Sequence, residues 1–400
     1  MSDMFGLKTP CYIYDEPGLR ENLRGFRAAM EGCWDESLVS MGISVKTAPI
    51  AGVLGLAREE GYCAEVVSDE EYALALDAGF LPGEVVFNGP IKSREWMFFA
   101  LDSGATVNID SNREVRYAVE YARERRAAPR VGLRVNFDLE SACPGETCAG
   151  GEPARFGFCV EDGSFARAVS ELRSAGIEPA GLHLHVSTSS HSASVYRELC
   201  REAVRLAADC SLCRLEYVDV GGGFYGGGAD QGSYHEYARA ISKGLATLGG
   251  VRVILEPGGS VLATAGSLLG RVVDSKTVRG TRFAVTELSK LDLNSTLFSR
   301  RSFSCEPVVR GGARGRCRRQ TICGFTCMEM DRIADVDDWP VLEEGDLVLV
   351  RNAGAYAASF APGFFIKQMP SVYLRTLGGR FRPLEEREGS LPPEAPERAF

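Results

Sequence analysis

The chain has 400 residues, 45% of them apolar, and its 54 acidic and 45 basic side chains leave a net charge of -9. This length allows two domains, and the acidic balance argues against broad nucleic-acid binding. No apolar run approaches the roughly 20 residues needed to cross a bilayer, and no signal peptide is visible. Thirteen scattered cysteines suit a reducing compartment better than a disulfide framework. We therefore expect a cytoplasmic protein without a membrane or nucleic-acid partner.

One cysteine pair has the spacing of half a metal site, Cys210-x-x-Cys213. A second pair with matching spacing is missing nearby, and the four histidines lie elsewhere in the sequence. Ordinary buried thiols are the simpler interpretation, and we predict no metal.

Short β-type apolar runs alternate with helical patterns from about residue 40 to residue 256. The eight runs are LVSMGISV, CAEVVS, EVVFN, ATVNID, RVGLRVN, AGLHLHV, LEYVDV and VRVILE. Such alternation indicates βαβ units and a parallel sheet. Eight units fit a (β/α)8 TIM barrel, which we place at 30–261, and a doubly wound sheet is the alternative.

The pattern changes after residue 261. Four runs, AGSLLGRVVDSKTV, TRFAVTEL, GDLVLVRNAGAYA and SVYLRTLGGRFRPL, are typical of strands joined by Gly-rich turns. They predict a mostly antiparallel β domain over 262–385. The Pro- and Glu-rich segment 386–400 is predicted to be a disordered tail. The expected fold class is α/β, a TIM barrel followed by a β domain.

The working groups of a TIM barrel lie at the C-terminal ends of its strands. Lys46 follows the first run, and it is the only one of seven lysines that ends a buried apolar run. A buried lysine amine is a good nucleophile and can form a Schiff base. The alternative is a snorkelling or ion-paired lysine.

The sixth run ends in two histidines, His183 and His185, and a series of hydroxyls at 187–190. Residues two apart point to the same face of a strand, so the two imidazoles should lie together. One core histidine followed by a polar loop is the alternative.

The last two runs end in a glycine triplet, 221–223, and in Glu256. Consecutive glycines let backbone N–H groups surround an anion, and phosphates bind after strands seven and eight of this fold. A carboxylate at the end of a buried strand needs a cationic or hydrogen-bonding partner. An aldehyde for Lys46, a phosphate for the glycines and a pyridine nitrogen for Glu256 together describe pyridoxal 5'-phosphate.

These motifs, in this order, resemble the fold-type III pyridoxal-phosphate decarboxylases, the diaminopimelate, ornithine and arginine decarboxylase group with an alanine racemase-like barrel. The match runs from about residue 8 to residue 375. It includes ISVKTA, GLHLHVSTSS, VDVGGGF, LEPGGSVLATAG, CGFTCMEMD and GDLVLVRNAGAYAASF. The resemblance implies a homodimeric amino-acid decarboxylase. It also implies that residues 1–29, with the strand CYIYD at 11–15, join the β domain.

The resemblance implies roles for the matching positions. Lys46 would bind the cofactor, His185 would lie against its ring, and Glu256 would face its pyridine nitrogen. Cys327 and Tyr356 would come from a second subunit, so that the dimer shares its active sites, and the cysteine would help to protonate the product. The phosphate would be held by Thr188, Gly221, Gly222, Gly223, Gly258, Gly259 and Ser260.

The chain departs from the family pattern at three places. Gly259 replaces the arginine of Glu-Pro-Gly-Arg, which removes one anion contact. Met328, followed by Glu329, replaces the acid that meets the distal ammonium of the substrate. The family's arginine-bearing turn is replaced by LSKLDLNSTLFSRRSF, in which Arg300 and Arg301 are the candidate substitutes.

These departures guide the prediction of the substrate. A buried distal ammonium would lack its partner at Met328, so we expect a conjugated, carrier-linked or otherwise non-diamine amino acid. The alternatives are diaminopimelate decarboxylation for lysine synthesis, racemisation, and a catalytically inactive regulator that still binds the cofactor. Residues 138–154, which contain two cysteines, are interpreted as a surface or substrate-gating loop, with a labile disulfide as the alternative.

Overall fold

A computed structural model describes residues 2–35, 38–148, 150–188, 190–228, 232–293, 303–311, 314–359 and 369–385. The chain forms two compact units, one from Pro17–Ala265 and the other from Met1–Glu16 with Gly266–Phe400. The first elements in chain order are β1 (Cys11–Asp15) and α1 (Glu16–Glu31). Nearly all of α1 therefore groups with the barrel, whereas the predicted boundary assigned residues 1–29 to the β domain.

The unit Pro17–Ala265 is a closed barrel. Its strands are β2 (Val39–Ser44), β3 (Cys63–Val66), β4 (Val85–Phe87), β5 (Thr106–Ile109), β6 (Val131–Asn136), β7 (Phe158–Cys159), β8 (Gly181–His183), β9 (Tyr217–Asp219) and β10 (Arg252–Leu255). Eight of them pair in parallel in the order β2-β3-β4-β5-β6-β8-β9-β10, and β10 pairs with β2 to close the ring. β7 adds to β6 outside the ring. The predicted TIM barrel is confirmed, and the doubly wound alternative is wrong.

Helices connect the barrel strands, and a short one follows the last of them. They are α2 (Ala51–Glu59), α3 (Asp69–Asp77), α4 (Arg94–Asp102), α5 (Asn112–Arg125), α6 (Leu139–Ala142), α7 (Ser164–Ser174), α8 (Ala193–Asp209), α9 (Gly232–Gly244) and α10 (Gly259–Leu262). Side-chain caps start several of them: Ser68 accepts from the Glu71 N–H, and Ser93 accepts from the Trp96 N–H. α8 buries an apolar stripe with helical spacing, which includes Val195, Leu199 and Leu206.

The second unit is a β domain. After β1, its strands are β11 (Gly266–Val278), β12 (Thr281–Thr286), β13 (Cys305–Val308), β14 (Arg316–Cys323), β15 (Arg332–Pro340), β16 (Leu347–Arg351), β17 (Ser371–Arg375) and β18 (Phe381–Glu385). The sheet runs β15-β14-β12-β11-β1-β17-β18, and β16 pairs with β11 and β13. All pairings are antiparallel except β1–β17 and β12–β14. A mostly antiparallel domain is therefore confirmed.

The strand CYIYD joins this domain, as the resemblance implied. β1 pairs antiparallel with β11 and parallel with β17, so it lies inside the sheet. Its Cys11 and Ile13 side chains pack in a core cluster with Leu269, Leu349 and Tyr373. The predicted tail, 386–400, lies outside the described residues. Within the described part of the chain, no helix is long and apolar enough to cross a bilayer.

Candidate active site

Lys46 lies in a short 3-10 turn, Val45–Thr47, directly after β2. Its Nζ atom donates to Glu65 Oε2 at 2.6 Å and to Ser44 Oγ at 2.8 Å. The Lys46 side chain is 38% exposed whereas that of Glu65 is 2% exposed. The expectation of a buried lysine is therefore wrong. Lys46 follows the end of β2 and is flanked by buried Val45 and Thr47, but its own side chain extends to Glu65 and stays partly exposed.

The ion pair determines the charge of Glu65. Burial by itself would raise the pKa of this carboxyl, but the Lys46 charge and hydrogen bonds from Lys46, Ser44 and Asn88 outweigh it and lower the pKa. Ser44 Oγ donates to the same Oε2 atom at 2.7 Å. Glu65 is therefore an anion that holds the lysine amine in place.

Glu256 follows β10 and meets neutral or protonated partners. Asn88 Nδ2 donates to its Oε1 atom at 2.5 Å, and its carboxyl group is also hydrogen-bonded to that of Asp219. Burial, followed by repulsion from Asp219 and Glu65, raises the pKa of Glu256 well above its ordinary value. Burial likewise raises the pKa of Asp219 to about 7. The two buried acids therefore share a proton.

The two histidines of the sixth run lie together, as predicted. Their rings stack with centroids 6.4 Å apart and an interplanar angle of 18°. His185 Nδ1 accepts from the Gly222 N–H at 3.1 Å. Burial, together with the Arg134 and Lys46 charges, lowers the pKa of His185 to about 3. His185 is therefore neutral, with one nitrogen already used as an acceptor.

Close approach explains the glycine triplet. A Cβ atom on Gly221 would lie 2.5 Å from His185 Cβ, and one on Gly222 would lie 2.4 Å from Glu256 O. Gly221 and Gly223 also have φ values of +75° and +86°, which disfavour any side chain. The glycines thus bring the β9 loop against both the histidine and the acid.

Two buried hydroxyls fit a phosphate. Thr188 Oγ1 and Ser260 Oγ have no hydrogen-bond partner among the described residues. Thr188 follows β8, and Ser260 lies in α10, whose first N–H groups have no intrahelical acceptor. A Cβ atom on Gly258 would lie 2.3 Å from Thr47 Oγ1. These donors follow β8 and β10, at the end of the barrel where phosphates bind, so the residues fit the phosphate of pyridoxal 5'-phosphate.

A metal-like cluster also lies in the barrel. His183, Asp219 and Glu256 each offer a ligand atom, and these atoms lie within 4.8 Å of one another. Because Asp219 and Glu256 are hydrogen-bonded to each other, we interpret the cluster as a proton-sharing pair beside a neutral histidine. The prediction of no metal stays a prediction.

Cys327 and Met328 lie on one turn of the β domain. Asp331 organises this turn, because its Oδ2 atom accepts from Thr326 Oγ1 at 2.6 Å and from the Thr326 N–H at 3.2 Å. Cys327 is an exposed free thiol, and Met328 is 40% exposed. The Glu329 side chain is 96% exposed and lies 3.9 Å from Arg332. The turn therefore presents a thiol and an apolar side chain.

Three further residues that were predicted to contribute to the site belong to the sequence of the β domain. Tyr356 is partly buried and has a φ of +58°. Arg300 and Arg301 lie outside the described residues. Their predicted roles stay predictions.

The cysteines of the 138–154 loop are both free thiols, Cys143 buried and Cys148 exposed. The loop is attached to the segment that carries Thr188. Thr147 forms a β-bridge with Thr188, and the Cys148 N–H donates to Ser187 O at 3.0 Å. A gating role stays a prediction.

Several buried polar residues within or directly after the barrel strands were not predicted from the sequence. They are Glu65, Asn88, Asn108, Arg134 and Asp219. The signal that identified Glu256 was available for each: a polar residue within or at the end of a predicted buried run.

The paired lysine, the buried acid and the unpartnered hydroxyls lie at the strand ends of one barrel, an arrangement that fits a pyridoxal-phosphate enzyme. The sequence profile described as "Pyridoxal-dependent decarboxylase, pyridoxal binding domain" matches residues 27–263. The chain therefore belongs to the pyridoxal-dependent decarboxylases. It is an amino-acid decarboxylase that uses pyridoxal phosphate.

Two sequence relatives and one solved structure illustrate how similar known proteins are to this chain. A probable chloroplastic diaminopimelate decarboxylase from Oryza sativa is 28% identical over 92% of this chain and 75% of its own. An L-glutamyl-(BtrI acyl-carrier protein) decarboxylase from Niallia circulans is 28% identical over 96% of this chain and 92% of its own. The crystal structure of Helicobacter pylori diaminopimelate decarboxylase with L-lysine superposes with a TM-score of 0.81, at 23% identity, over 97% of this chain and 96% of that one.

Proposed function

We propose that the protein decarboxylates an α-amino acid whose distal end carries no free ammonium, such as a conjugated or carrier-linked amino acid. The observation that carries the proposal is Met328, an apolar side chain directly after Cys327. An ammonium buried against it would lack a charge partner. Glu329 does not supply one, because its side chain is almost fully exposed and lies beside Arg332.

The roles within the barrel form part of the proposal. Lys46 binds the cofactor, and Glu65 and Ser44 hold its amine. Glu256 faces the pyridine nitrogen, and neutral His185 lies against the ring. When bound, pyridoxal phosphate supplies an electron sink for the bond that breaks at the substrate Cα. The glycine triplet, Thr188 and the 258–260 turn hold the phosphate.

The β domain contributes the remaining groups. Cys327, an exposed thiol, protonates the product carbon, and Tyr356 completes the cofactor site, each acting in the partner subunit of a homodimer. The thirteen free thiols, all within the described residues, support the cytoplasmic location that we propose.

The relative from Niallia circulans supports a carrier-linked substrate, since its name specifies an amino acid attached to an acyl-carrier protein. A γ-linked glutamyl group has an uncharged distal end. Diaminopimelate decarboxylation is the second candidate, because several similar relatives carry that name.

The test compares carbon dioxide release from free and carrier-linked amino acids. We expect turnover of a glutamyl thioester on a carrier protein and weak activity on free diaminopimelate, lysine and ornithine. Efficient turnover of any of these three would overturn the proposal in favour of the second candidate.

Two matched variants sharpen this assay. Met328→Glu should raise kcat/KM for lysine and ornithine by about tenfold, because it restores a carboxylate near the distal ammonium. Met330→Glu, which changes a nearby methionine that is 74% exposed, should leave the substrate preference unchanged.

A further inference from the structure

Asn88 lies between the two carboxylates that face the cofactor site. It follows β4 and is 2% exposed. Its Nδ2 atom donates to Glu256 Oε1 at 2.5 Å and to Glu65 Oε1 at 3.3 Å. One amide therefore joins the acid beside Lys46 to the acid at the end of β10.

The neighbouring hydrogen bonds fix the orientation of this amide. Tyr217 OH donates to Asn108 Oδ1 at 2.8 Å, so the Asn108 amide nitrogen points the other way. That nitrogen donates to Asn88 Oδ1 at 2.9 Å and to Asp219 Oδ2 at 3.0 Å. The Asn88 carbonyl oxygen is thereby occupied, and its amide nitrogen donates to carboxyl oxygens of Glu65 and Glu256.

The barrel is built to accommodate this network. A Cβ atom on Gly132 would lie 2.3 Å from Tyr217 OH and 2.4 Å from Asn108 Oδ1. One on Gly181 would lie 2.1 Å from the Tyr217 ring. Two barrel strands thus carry glycine where the Tyr217–Asn108 contact needs space.

We propose that Asn88 is a positioning residue for Glu256: it holds one carboxylate oxygen and so keeps the other aligned with the pyridine nitrogen of the cofactor. The inference rests on the proposed function, because the role of Glu256 is part of it. An amide suits the position because it donates without adding charge to a region that already contains Glu65, Asp219 and Glu256. An aspartate of the same shape would add a fourth carboxylate.

The experiment measures cofactor binding rather than activity. Cofactor-free protein is titrated with pyridoxal phosphate and with its 1-deaza analogue, in which carbon replaces the ring nitrogen. Both probes carry the aldehyde and the phosphate, so the ratio of their Kd values isolates the contact at the nitrogen. The wild type should prefer pyridoxal phosphate. Asn88→Leu should reduce this preference by about tenfold, the effect of one hydrogen bond to a charged group.

Two further variants separate positioning from folding. Asn88→Asp, which keeps the shape, should reduce the preference more than Asn88→Leu, because it replaces a donor with a charge. Asn22→Leu removes a buried amide of the same unit that bonds to the Gly228 N–H and to Val261 O. It should weaken the binding of both probes equally and leave the ratio of their Kd values unchanged. A general destabilisation of the barrel would have the same effect.

Glu256→Gln distinguishes the role of Asn88 from the proposed role of Glu256. A lost preference in Glu256→Gln, together with a wild-type ratio in both Asn88 variants, would overturn the role of Asn88 and leave that of Glu256 standing. A wild-type ratio in Glu256→Gln would overturn the proposed role of Glu256, and with it this inference.

Discussion

At the scale of single residues, the contacts of Lys46 hold its amine in place but leave part of the side chain exposed. Glu65 and Ser44 hold its amine at 2.6 and 2.8 Å, yet more than a third of the side chain is exposed. In the proposed role, the Lys46 amine binds the cofactor, is displaced by the substrate amine and returns after the reaction, and this requires both properties. The ion pair holds the amine in place, and the position after the end of β2 leaves the side chain partly exposed.

The assignment of Lys46 can be tested chemically. Borohydride should bleach the visible absorbance of the cofactor-loaded protein and leave the reduced adduct on Lys46, which peptide mass spectrometry would identify. Lys46→Ala should lose the adduct and most activity. Lys243→Ala, an exposed lysine in the last turn of α9, should retain both. An adduct on a different lysine would refute the assignment.

The acid pair predicts a pH dependence of stability. Burial raises the pKa of Asp219 from its ordinary 3.8 to about 7 in the folded protein. The folded state therefore retains a proton that the unfolded chain releases, so the contribution of Asp219 to stability falls as the pH rises between these values, whereas the lowered pKa of His185 contributes with the opposite sign. The contribution of Asp219 to the slope is at most about 1.4 kcal/mol of unfolding free energy per pH unit.

Thermal melting of the cofactor-free protein between pH 4 and pH 7 would measure this slope. Asp219→Asn should change the slope by removing the contribution of this carboxyl, because the amide does not titrate. Asp209→Asn, which changes an exposed residue at the end of α8, should keep the wild-type slope. An unchanged slope in Asp219→Asn would show that another group binds the proton.

At the scale of elements, the strands of the barrel ring could be predicted from the sequence. Three strands of the β domain, β13, β14 and β15, could not. Each barrel strand is buried on both faces, so its sequence is a nearly continuous apolar run. β14 and β15 instead read RCRRQTIC and RIADVDDWP. Cross-strand pairs such as Arg319–Asp335 at 2.7 Å support them, and these pairs become visible only once the register is known.

The candidate site divides in the same way. Lys46 and Glu256 could be predicted because each follows its own apolar run. The network of Asn88, Asn108 and Tyr217 could not, because it joins β4, β5 and β9 across more than a hundred residues of sequence. The order of the strands in the sequence does not identify which of these three side chains form hydrogen bonds inside the barrel.

The space around Tyr217 gives a prediction at this scale. Gly181→Ala would place Cβ 2.1 Å from the Tyr217 ring, and β8 or the ring must then shift. We expect a loss of about 1–3 kcal/mol in the unfolding free energy of the barrel, measured with denaturant. Gly249→Ala, where nothing lies within 4 Å of the added atom, should change it little. Equal effects would argue against a packing constraint at Gly181.

At the scale of the whole molecule, the proposal that each active site contains residues of both subunits makes a quantitative prediction. Lys46→Ala and Cys327→Ala should each inactivate a homodimer. After subunit exchange at equal amounts, half of the dimers are mixed and hold one intact site of two, so activity should return to about a quarter of the wild-type value. If subunits exchange but no activity returns, each site is completed within its own chain.

The position of β1 has a consequence for biosynthesis. Among the described strands β1 is synthesised first, yet one of its two partners, β17, ends at Arg375. At translation rates of about 5–20 residues per second, β1 waits on the order of 20 to 70 seconds for that partner to be synthesised. Over that interval the whole sequence of the barrel, Pro17–Ala265, emerges from the ribosome between the two strands. We expect nascent chains stalled before residue 371 to contain a protease-resistant barrel and a cleavable N-terminal strand.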